Sequence, residues 1–287
     1  MRSYLSLIKF SHTIFALPFA LIGFFLAHVD RGEVFRSDLF LLVLLCMVFA
    51  RSAAMAFNRW LDRDIDKKNP RTAGREIPAG IISPAAGLAF TIANSLAFIA
   101  TTYFINAICF ILSPVALLVI LGYSYTKRFT ALCHFVLGLG LSLAPIGAYL
   151  AVTATFDWIP LVYSVAVLLW VSGFDIIYAL QDDGFDESMQ LHSIPVLLGR
   201  DRALQLSTFL HVACGLCILL ASLLMARQHP VFGIMHWIGA AVFVLLLAYQ
   251  HLIVRPGDLS RVNLAFFTTN GVASLILGAF VILDVFF

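Results

Sequence analysis

Charged residues are scarce in this chain of 287 residues, of which 12% are charged and 61% are hydrophobic. A soluble domain carries about 25% charged residues, so the composition excludes an ordinary water-soluble enzyme. The net charge is only +2 and there is no basic tract, so nucleic acid is not an expected partner. The five cysteines are scattered. The CxxC at Cys214 and Cys217 lies in an apolar run, which favours packing over redox or metal chemistry.

In place of charge, the chain has a series of apolar runs of about 18 residues or more. They predict an all-α polytopic membrane protein, with about nine transmembrane helices bundled in the lipid bilayer as a single domain, residues 1–287. The first run begins at His12 and is too long for the apolar core of a signal peptide, so we interpret it as a retained helix. The predicted spans are residues 12–29, 39–57, 84–105, 107–126, 131–152, 158–180, 204–226, 231–253 and 262–286.

Lysine and arginine are distributed unevenly between the two sets of loops. Nine spans place fourteen of these residues on the side of the N-terminus and three on the other side, with Arg51 inside a span. Because basic residues favour the cytoplasmic side of a membrane, we expect the side with fourteen to be cytoplasmic. The protein is then expected in the inner membrane of the cell.

Two acidic stretches lie on this basic side. The first, NRWLDRDIDKKNPRTAGREIPAG (58–80), has polar residues at i, i+4 and i+8, which share one face of a helix: Asn58, Asp62 and Asp66. The second, DIIYALQDDGFDES (175–188), has acids spaced by 7 and 4: Asp175, Asp182 and Asp186. The same spacing relates three residues near the first stretch: Arg51, Asn58 and Asp62. Two stripes of equal pitch predict one site built from two halves.

A faint internal repeat supports this division. LPFALIG (17–23) precedes the first stretch and APIGAYLA (144–151) precedes the second, at nearly equal distances. The repeat favours two four-helix-like halves plus a ninth helix.

Four carboxylates brought together at a membrane surface repel one another unless a divalent cation lies between them. The four are Asp62, Asp66, Asp182 and Asp186. Mg²⁺ suits such a site, because it takes one or two carboxylates and leaves positions for water and substrate phosphate oxygens. Asn58 adds a neutral oxygen. Four basic residues on the same side can neutralise a bound phosphate: Arg71, Arg75, Lys127 and Arg128.

Arg51 and Asp175 differ from these residues because each lies inside a predicted span. A charge at the centre of a membrane helix costs about 2.5–3.5 kcal/mol unless it is paired or faces a wet cavity. Two interpretations remain open: the two residues pair with each other, or Arg51 binds an anionic group of a substrate deep in the bundle.

At these residues the sequence resembles the UbiA family of intramembrane aromatic prenyltransferases. The first acidic stretch, with its RTAGR segment (71–75), fits one family motif, and Asp175, Tyr178, Asp182 and Asp186 fit the other. YSYTKRFT (123–130) and APIGAYLA also look like family segments, so the resemblance covers nearly the whole chain. It implies nine helices, a polyprenyl diphosphate donor, two Mg²⁺ on the four aspartates of the metal site, and an aromatic acid as acceptor.

The resemblance also implies roles for further residues. Arg51 lies where the family binds the carboxylate of the acceptor, and a catalytic group is expected from Asp175, Tyr178, Lys127 and Arg128. Asp175 either accepts the released proton or holds Arg51 or Tyr178. The wording AMAFNRWLDRDID (54–66) looks closer to the enzymes that prenylate 1,4-dihydroxy-6-naphthoate for menaquinone than to those that prenylate 4-hydroxybenzoate for ubiquinone. The acceptor therefore stays open between these two acids.

Other functions fit parts of the pattern. A family member could prenylate haem, a homogentisate-type ring or a glyceryl lipid, but such acceptors would leave Arg51 without a carboxylate. Repeated halves with polar residues also occur in secondary transporters, although acids clustered in loops beside arginines favour phosphate binding. A quinone-binding scaffold needs no aspartate stripes.

Overall fold

Long helices form almost the entire computed structural model, which describes residues 2–7, 15–32 and 35–287. Within these residues, eight helices are long and apolar enough to cross a membrane, and the predicted all-α polytopic bundle is confirmed. A π-helical turn, Leu264–Thr269, leads into the last helix. The helices are α1 (Arg2–Leu7), α2 (Leu17–Arg31), α3 (Ser37–Leu61), α4 (Arg63–Lys68), α5 (Pro84–Tyr103), α6 (Ala107–Thr126), α7 (Cys133–Thr153), α8 (Trp158–Ala179), α9 (Asp183–Ser188), α10 (Ile194–Gln228), α11 (Met235–Ile253) and α12 (Asn270–Phe286).

Two predicted spans differ from the helices observed. The first predicted span corresponds to α2, and its first residues, 12–14, lie outside the described residues, as does Lys9. The seventh was expected to begin at residue 204, whereas α10 begins at Ile194. Gly199 interrupts α10 with φ 77° and ψ 165°, a conformation that glycine adopts without steric cost. The kink separates a short helical turn, residues 194–198, from the long helix that follows it, so the predicted start at residue 204 lies near the start of that long helix.

Side-chain caps fix where several of these helices begin. Each cap accepts a hydrogen bond from a backbone N–H of the first turn, which satisfies one donor that has no partner within the helix. The capping residues are Ser83 for α5, Asn106 for α6, Asp157 for α8 and Ser193 for α10. These short polar residues stand directly before apolar runs, which is why most span boundaries can be predicted to within a few residues.

Each acidic stretch forms a long helix, a break at an aspartate and a six-residue helix. Asp62 separates α3 from α4 with ψ 3°, and Asp182 separates α8 from α9 with the same ψ. In the short helices, the amide of Asp66 donates to the Asp62 carbonyl at 2.7 Å and that of Asp186 to the Asp182 carbonyl at 2.8 Å. The single helix predicted to carry Asn58, Asp62 and Asp66 is therefore divided at Asp62.

The breaks also correct the register between the two halves. They align Asp62 with Asp182 and Asp66 with Asp186, so Asp175 corresponds to Met55. The shared spacing of 7 and 4 instead aligned Asp62 with Asp186. Equal spacing misled because one helical face repeats every three to four residues, so a shift by one turn keeps the same stripe.

Helix α8 lies at the centre of the bundle, packed between α7 and α10. Its Trp170 is fully buried, with ring centroids 5.3 Å from Phe19 and 5.7 Å from Phe243. The Trp170 indole N–H donates to the Asn270 side-chain oxygen at 2.8 Å, and Gln250 donates to the same oxygen at 2.6 Å. Because a buried polar group is costly unless it is hydrogen-bonded, this network fixes the helix that carries the second acidic stretch.

Close packing of α2 on α7 leads to a stability prediction. A Cβ added at Gly23 would overlap the Pro145 carbonyl, which is backbone and cannot turn aside. Gly23→Ala is therefore expected to destabilise the fold by about 1–3 kcal/mol, the usual cost of overpacking, and to lower the melting temperature in detergent. The matched control is Gly122→Ala on α6, where the added Cβ meets open space. Equal melting temperatures for the two variants would contradict this packing.

Candidate active site

One polar cavity of about 320 Å³ brings the two acidic stretches together. It lies at the ends of α3, α6 and α8, where the chain leaves the apolar part of the bundle. Most of the side chains predicted for the site line it: Arg51, Asn58, Asp62, Asp66, Arg71, Arg75, Lys127, Asp175, Tyr178, Asp182 and Asp186. The prediction that two distant stretches form one site therefore agrees with the geometry.

Asp62 is almost completely buried and neutralised by two cations. One carboxylate oxygen lies 2.5 Å from the Lys127 ammonium, and the other accepts from Arg128 at 2.8 Å. Asn58 donates to the same carboxylate at 3.3 Å. Burying a carboxylate is tolerated only with such partners, so these contacts set the rotamer of Asp62.

The sequence predicted that Arg128 faces a bound phosphate, but Arg128 does not line the cavity. Its guanidinium also donates to the carbonyls of Ser124 at 2.9 Å and Leu61 at 3.2 Å. These carbonyls are at the ends of α6 and α3, where helical carbonyls lack partners within the helix. Arg128 thus supports Asp62 from behind the cavity wall, while Lys127 lines the cavity itself.

Asp66, four residues after Asp62, has a hydrogen-bond partner for one of its two carboxylate oxygens. Its Oδ1 accepts from Arg75 at 2.6 Å. Its Oδ2 is buried and has no hydrogen-bond partner among the described residues. A buried, unpaired carboxylate oxygen is costly, so this atom marks a place where the site favours an additional positive or hydrogen-bonding group.

A loop within the first stretch binds the second stretch directly. Arg71 forms a two-pronged ion pair with Asp182, with its Nε donating at 2.9 Å. Asn69 donates to the same carboxylate at 3.1 Å, and Arg71 also donates to the Tyr178 hydroxyl at 2.9 Å. Burial and the neighbouring Asp182 carboxylate raise the pKa of Asp186 to about 6, because negative charge accumulates on this side of the cavity.

Arg51 and Asp175 do not pair with each other, although both line the polar cavity. Asp175 is instead bonded to the ring of His134 at 2.7 Å. Arg51 is partly buried, and its buried Nε has no hydrogen-bond partner among the described residues. Of the two interpretations left open by the sequence, the arginine–aspartate pair is wrong, and Arg51 lines the cavity.

A second, apolar cavity of about 300 Å³ lies beside the polar one. Its walls come mainly from α3, α5, α6 and α7 and include Val43, Phe98, Ile105 and Phe156. Five residues line both cavities: Arg51, Met55, Tyr123, Leu137 and Leu141. The polar site therefore adjoins an apolar chamber within the membrane-spanning part of the bundle.

Several side chains of the polar cavity were not predicted from the sequence, among them Asn69, Phe266 and His134. Asn69 gave no signal, because a loop asparagine is common before proline. Phe266 stacks on Tyr178 with ring centroids 4.1 Å apart, but one phenylalanine among 26 carries no pattern. His134 did carry a signal, because an imidazole inside a predicted span needs a partner, and Asp175 was an available acid.

The oxygen donors around the cavity determine which metal ion the site can hold. Among the described residues, no three His, Cys, Asp or Glu side chains converge closely enough to hold a metal ion as placed. Instead Lys127, Arg75 and Arg71 neutralise Asp62, Asp66 and Asp182. Four hard oxygen donors nonetheless face one cavity, and Asp66 Oδ2 has no partner. This donor set fits Mg²⁺, which prefers carboxylate and water oxygens.

The family of the chain follows from comparison with known proteins. The sequence profile of the UbiA prenyltransferase family matches residues 16–272. The chain belongs to this family. A 4-hydroxybenzoate octaprenyltransferase from Aeromonas hydrophila is 31% identical over 248 residues, covering 84% of this chain and 83% of that protein.

Solved structures of UbiA homologues share the fold. The apo structure of the homologue from Aeropyrum pernix K1 is 32% identical, with a TM-score of 0.84 over 95% of this chain and 98% of that one. The homologue from Archaeoglobus fulgidus bound to GPP and Mg²⁺ is 21% identical, with a TM-score of 0.68 over 99% of this chain and 100% of that one. Membership of this family makes the protein a prenyltransferase, and the transporter and scaffold alternatives are set aside.

Proposed function

We propose that this protein transfers a polyprenyl group from a polyprenyl diphosphate to the ring of an aromatic acid, in an Mg²⁺-dependent step of quinone biosynthesis. The observation that carries the proposal is the junction of the two cavities at Arg51. An amphiphilic donor needs an anion site joined to an apolar chamber, and an acid acceptor needs a cation where the two meet. The likeness to a 4-hydroxybenzoate octaprenyltransferase supports the proposal.

The diphosphate belongs in the polar cavity. Two Mg²⁺ ions would be held by the four aspartates, Asp62, Asp66, Asp182 and Asp186. When bound, they supply Lewis-acid neutralisation of the charge on the departing diphosphate. Arg71, Arg75 and Lys127 line the same cavity and contact the phosphate oxygens as cationic donors. Arg128 acts through Asp62, whose orientation it fixes.

The polyprenyl tail belongs in the apolar cavity. Its walls are almost entirely hydrocarbon, so burial of each methylene of the tail stabilises the complex by about 0.8 kcal/mol. The aromatic rings of Tyr178, Phe174 and Phe266 line the polar cavity. Ring faces attract cations, so these side chains shield an allylic cation from water while the acceptor ring attacks it.

Arg51 orients the acceptor. Its Nε is buried and is an unused donor among the described residues, which suits a carboxylate that accepts two parallel hydrogen bonds. A carboxylate held there places the hydroxylated ring at the junction of the cavities, beside the reacting end of the tail. We propose 4-hydroxybenzoate or 1,4-dihydroxy-6-naphthoate as the acceptor, with Asn58 and Tyr178 completing the polar wall.

The location follows from the same proposal. The chain is a multi-pass membrane protein, and we place it in the inner membrane as a single domain over residues 1–287. The cavity and its basic loops face the cytoplasm, in agreement with the distribution of lysine and arginine.

Prenyl transfer in isolated membranes tests the proposal. A polyprenyl diphosphate is supplied with 4-hydroxybenzoate, with 1,4-dihydroxy-6-naphthoate or without acceptor, each with Mg²⁺ or with EDTA. We expect product from one of the two acids. EDTA should lower the rate by about 100-fold or more, because the Lewis-acid contribution amounts to several kcal/mol, and added Mg²⁺ should restore it. Product with neither acid, or product insensitive to EDTA, would contradict the proposal.

A further inference from the structure

Asp175 and His134 form a pair inside the polar cavity that the binding of the two substrates leaves without a role. Asp175 lies near the end of α8, and His134 is the second residue of α7. Asp175 Oδ2 lies 2.7 Å from His134 Nδ1, and both side chains line the cavity. His134 is almost completely buried, whereas Asp175 keeps 22% of its side chain exposed.

The backbone of α10 determines which nitrogen of His134 carries a proton. The amide N–H of Ile194 lies 3.2 Å from His134 Nε2 and donates to it. An Nε2 that accepts this bond holds a lone pair, so in the neutral imidazole the proton lies on Nδ1. Nδ1–H then donates to Asp175. His134 Nδ1 is therefore a hydrogen-bond donor that fixes the position of the Asp175 carboxylate.

The second oxygen of Asp175 is available to a ligand. Among the described residues, the hydrogen bond to His134 is the polar contact of the Asp175 carboxylate, and it uses Oδ2. Asp62, Asp66 and Asp182 are each paired with a lysine or arginine, and Asp186 is assigned to the metal. Among the described residues, Asp175 forms no ion pair with a lysine or arginine, so its Oδ1 is left to accept a proton.

We propose that Asp175 is the base that removes the ring proton, and that His134 is a positioning residue that holds it. This inference rests on the proposed function. The bond between the allylic carbon and the diphosphate oxygen breaks, and the diphosphate takes that electron pair. The ring carbon then bonds to the allylic carbon. Finally the C–H bond at that ring carbon breaks, its electrons restore aromaticity, and the proton moves to Asp175 Oδ1.

Two substitutions of His134 separate its two hydrogen bonds. The side-chain nitrogen of asparagine takes the place of Nδ1, so His134→Asn keeps a donor to Asp175 and loses the bond to Ile194. The side-chain oxygen of glutamine takes the place of Nε2, so His134→Gln keeps the bond to Ile194 and loses the donor. If His134 had only a structural role, the variant that keeps the bond to Asp175 would not be more active than the variant that loses it. Asp175→Asn removes the base itself at nearly constant volume.

The readout is turnover with acceptor that carries deuterium at the ring carbon to be prenylated. In the unsubstituted protein, proton loss follows the slow step, so the isotope effect on turnover should be near one. Asp175→Asn should lower turnover by about 100-fold or more, the usual contribution of a general base. His134→Gln should lower it by about 10- to 100-fold. Both should show an isotope effect clearly above one, and His134→Asn should stay within about threefold of the unsubstituted protein.

Each outcome decides the inference. An isotope effect near one in Asp175→Asn, with turnover retained, would show that the proton leaves elsewhere. Equal losses in the two His134 variants, without an isotope effect, would reduce the pair to a structural contact. If both His134 variants fail to fold, as judged by gel filtration in detergent, Asp175→Asn alone decides. If the unsubstituted protein prenylates neither acid, the proposed function fails first, and the inference fails with it.

Discussion

Asp182→Ala is expected to lower prenyl transfer by at least about 100- to 1,000-fold, the loss typical of removing one group that stabilises developing negative charge. Asp182 is where the two halves meet, since Asn69 and Arg71 of the first half both bind its carboxylate. The substitution removes one oxygen donor from the metal site and releases Arg71 from its position. The measurement is product formation in membranes that contain equal amounts of inserted protein.

The next residue along the chain provides a matched control. Asp183 is also acidic and begins the same short helix, but it pairs with Arg200 at 2.5 Å and does not line the cavity. Asp183→Ala should keep turnover within a few-fold of the unsubstituted protein, because an exposed ion pair contributes little to stability. Normal activity in Asp182→Ala, or equal loss in both variants, would show that the acidic cavity is not the diphosphate site.

Arg51→Ala is expected to raise the KM for the acid acceptor by about 10- to 100-fold, which corresponds to losing a hydrogen bond to a charged group worth about 1.5–3 kcal/mol. The KM for the polyprenyl diphosphate should change little, because other cations face the diphosphate. Steady-state kinetics with each substrate varied in turn provide the measurement. The acceptor KM of Arg51→Lys should lie between those of the unsubstituted protein and Arg51→Ala, since lysine keeps the charge but cannot form two parallel hydrogen bonds.

An acceptor analogue that lacks the carboxylate, combined with Arg51→Ala, gives a thermodynamic cycle like a double-mutant cycle. Removing the carboxylate should weaken binding to the unsubstituted protein by about as much as Arg51→Ala does. It should cost nothing further in Arg51→Ala, because the interaction is already absent. Additive losses would mean that Arg51 and the carboxylate do not meet. An unchanged acceptor KM in Arg51→Ala would contradict the assignment directly.

The fold was predictable because each span leaves a clear signal. A helix in a bilayer must be apolar over about 20 residues, and polar caps such as Asn106 and Asp157 mark where the helices begin. Where the backbone kinks, as at Gly199, the short helical turn before the kink was not predicted. Helix boundaries in this chain can thus be read from local chemistry, and errors arise where the backbone departs from that chemistry.

The content of the site was predictable, and its contacts were not. Spacing identified the acids of both stretches, because regularly spaced carboxylates in so apolar a chain indicate a functional site. It did not show that Arg71 crosses to Asp182 or that Arg128 lies behind Asp62, since both contacts join residues more than sixty positions apart. The partner of Asp175, 41 positions away, was also missed. His134 is on the neighbouring helix, and only the packing of α7 against α8 brings the two together.

The central claim is that one metal-dependent diphosphate site is built from both acidic stretches. Its most direct test is a crystal structure with Mn²⁺ in place of Mg²⁺ and a polyprenyl diphosphate analogue that cannot ionise, with the metal located by its anomalous scattering. The account predicts two peaks, bound by Asp62 and Asp66 on one side and by Asp182 and Asp186 on the other, with the diphosphate between them. Metal or diphosphate bound away from these aspartates would contradict it.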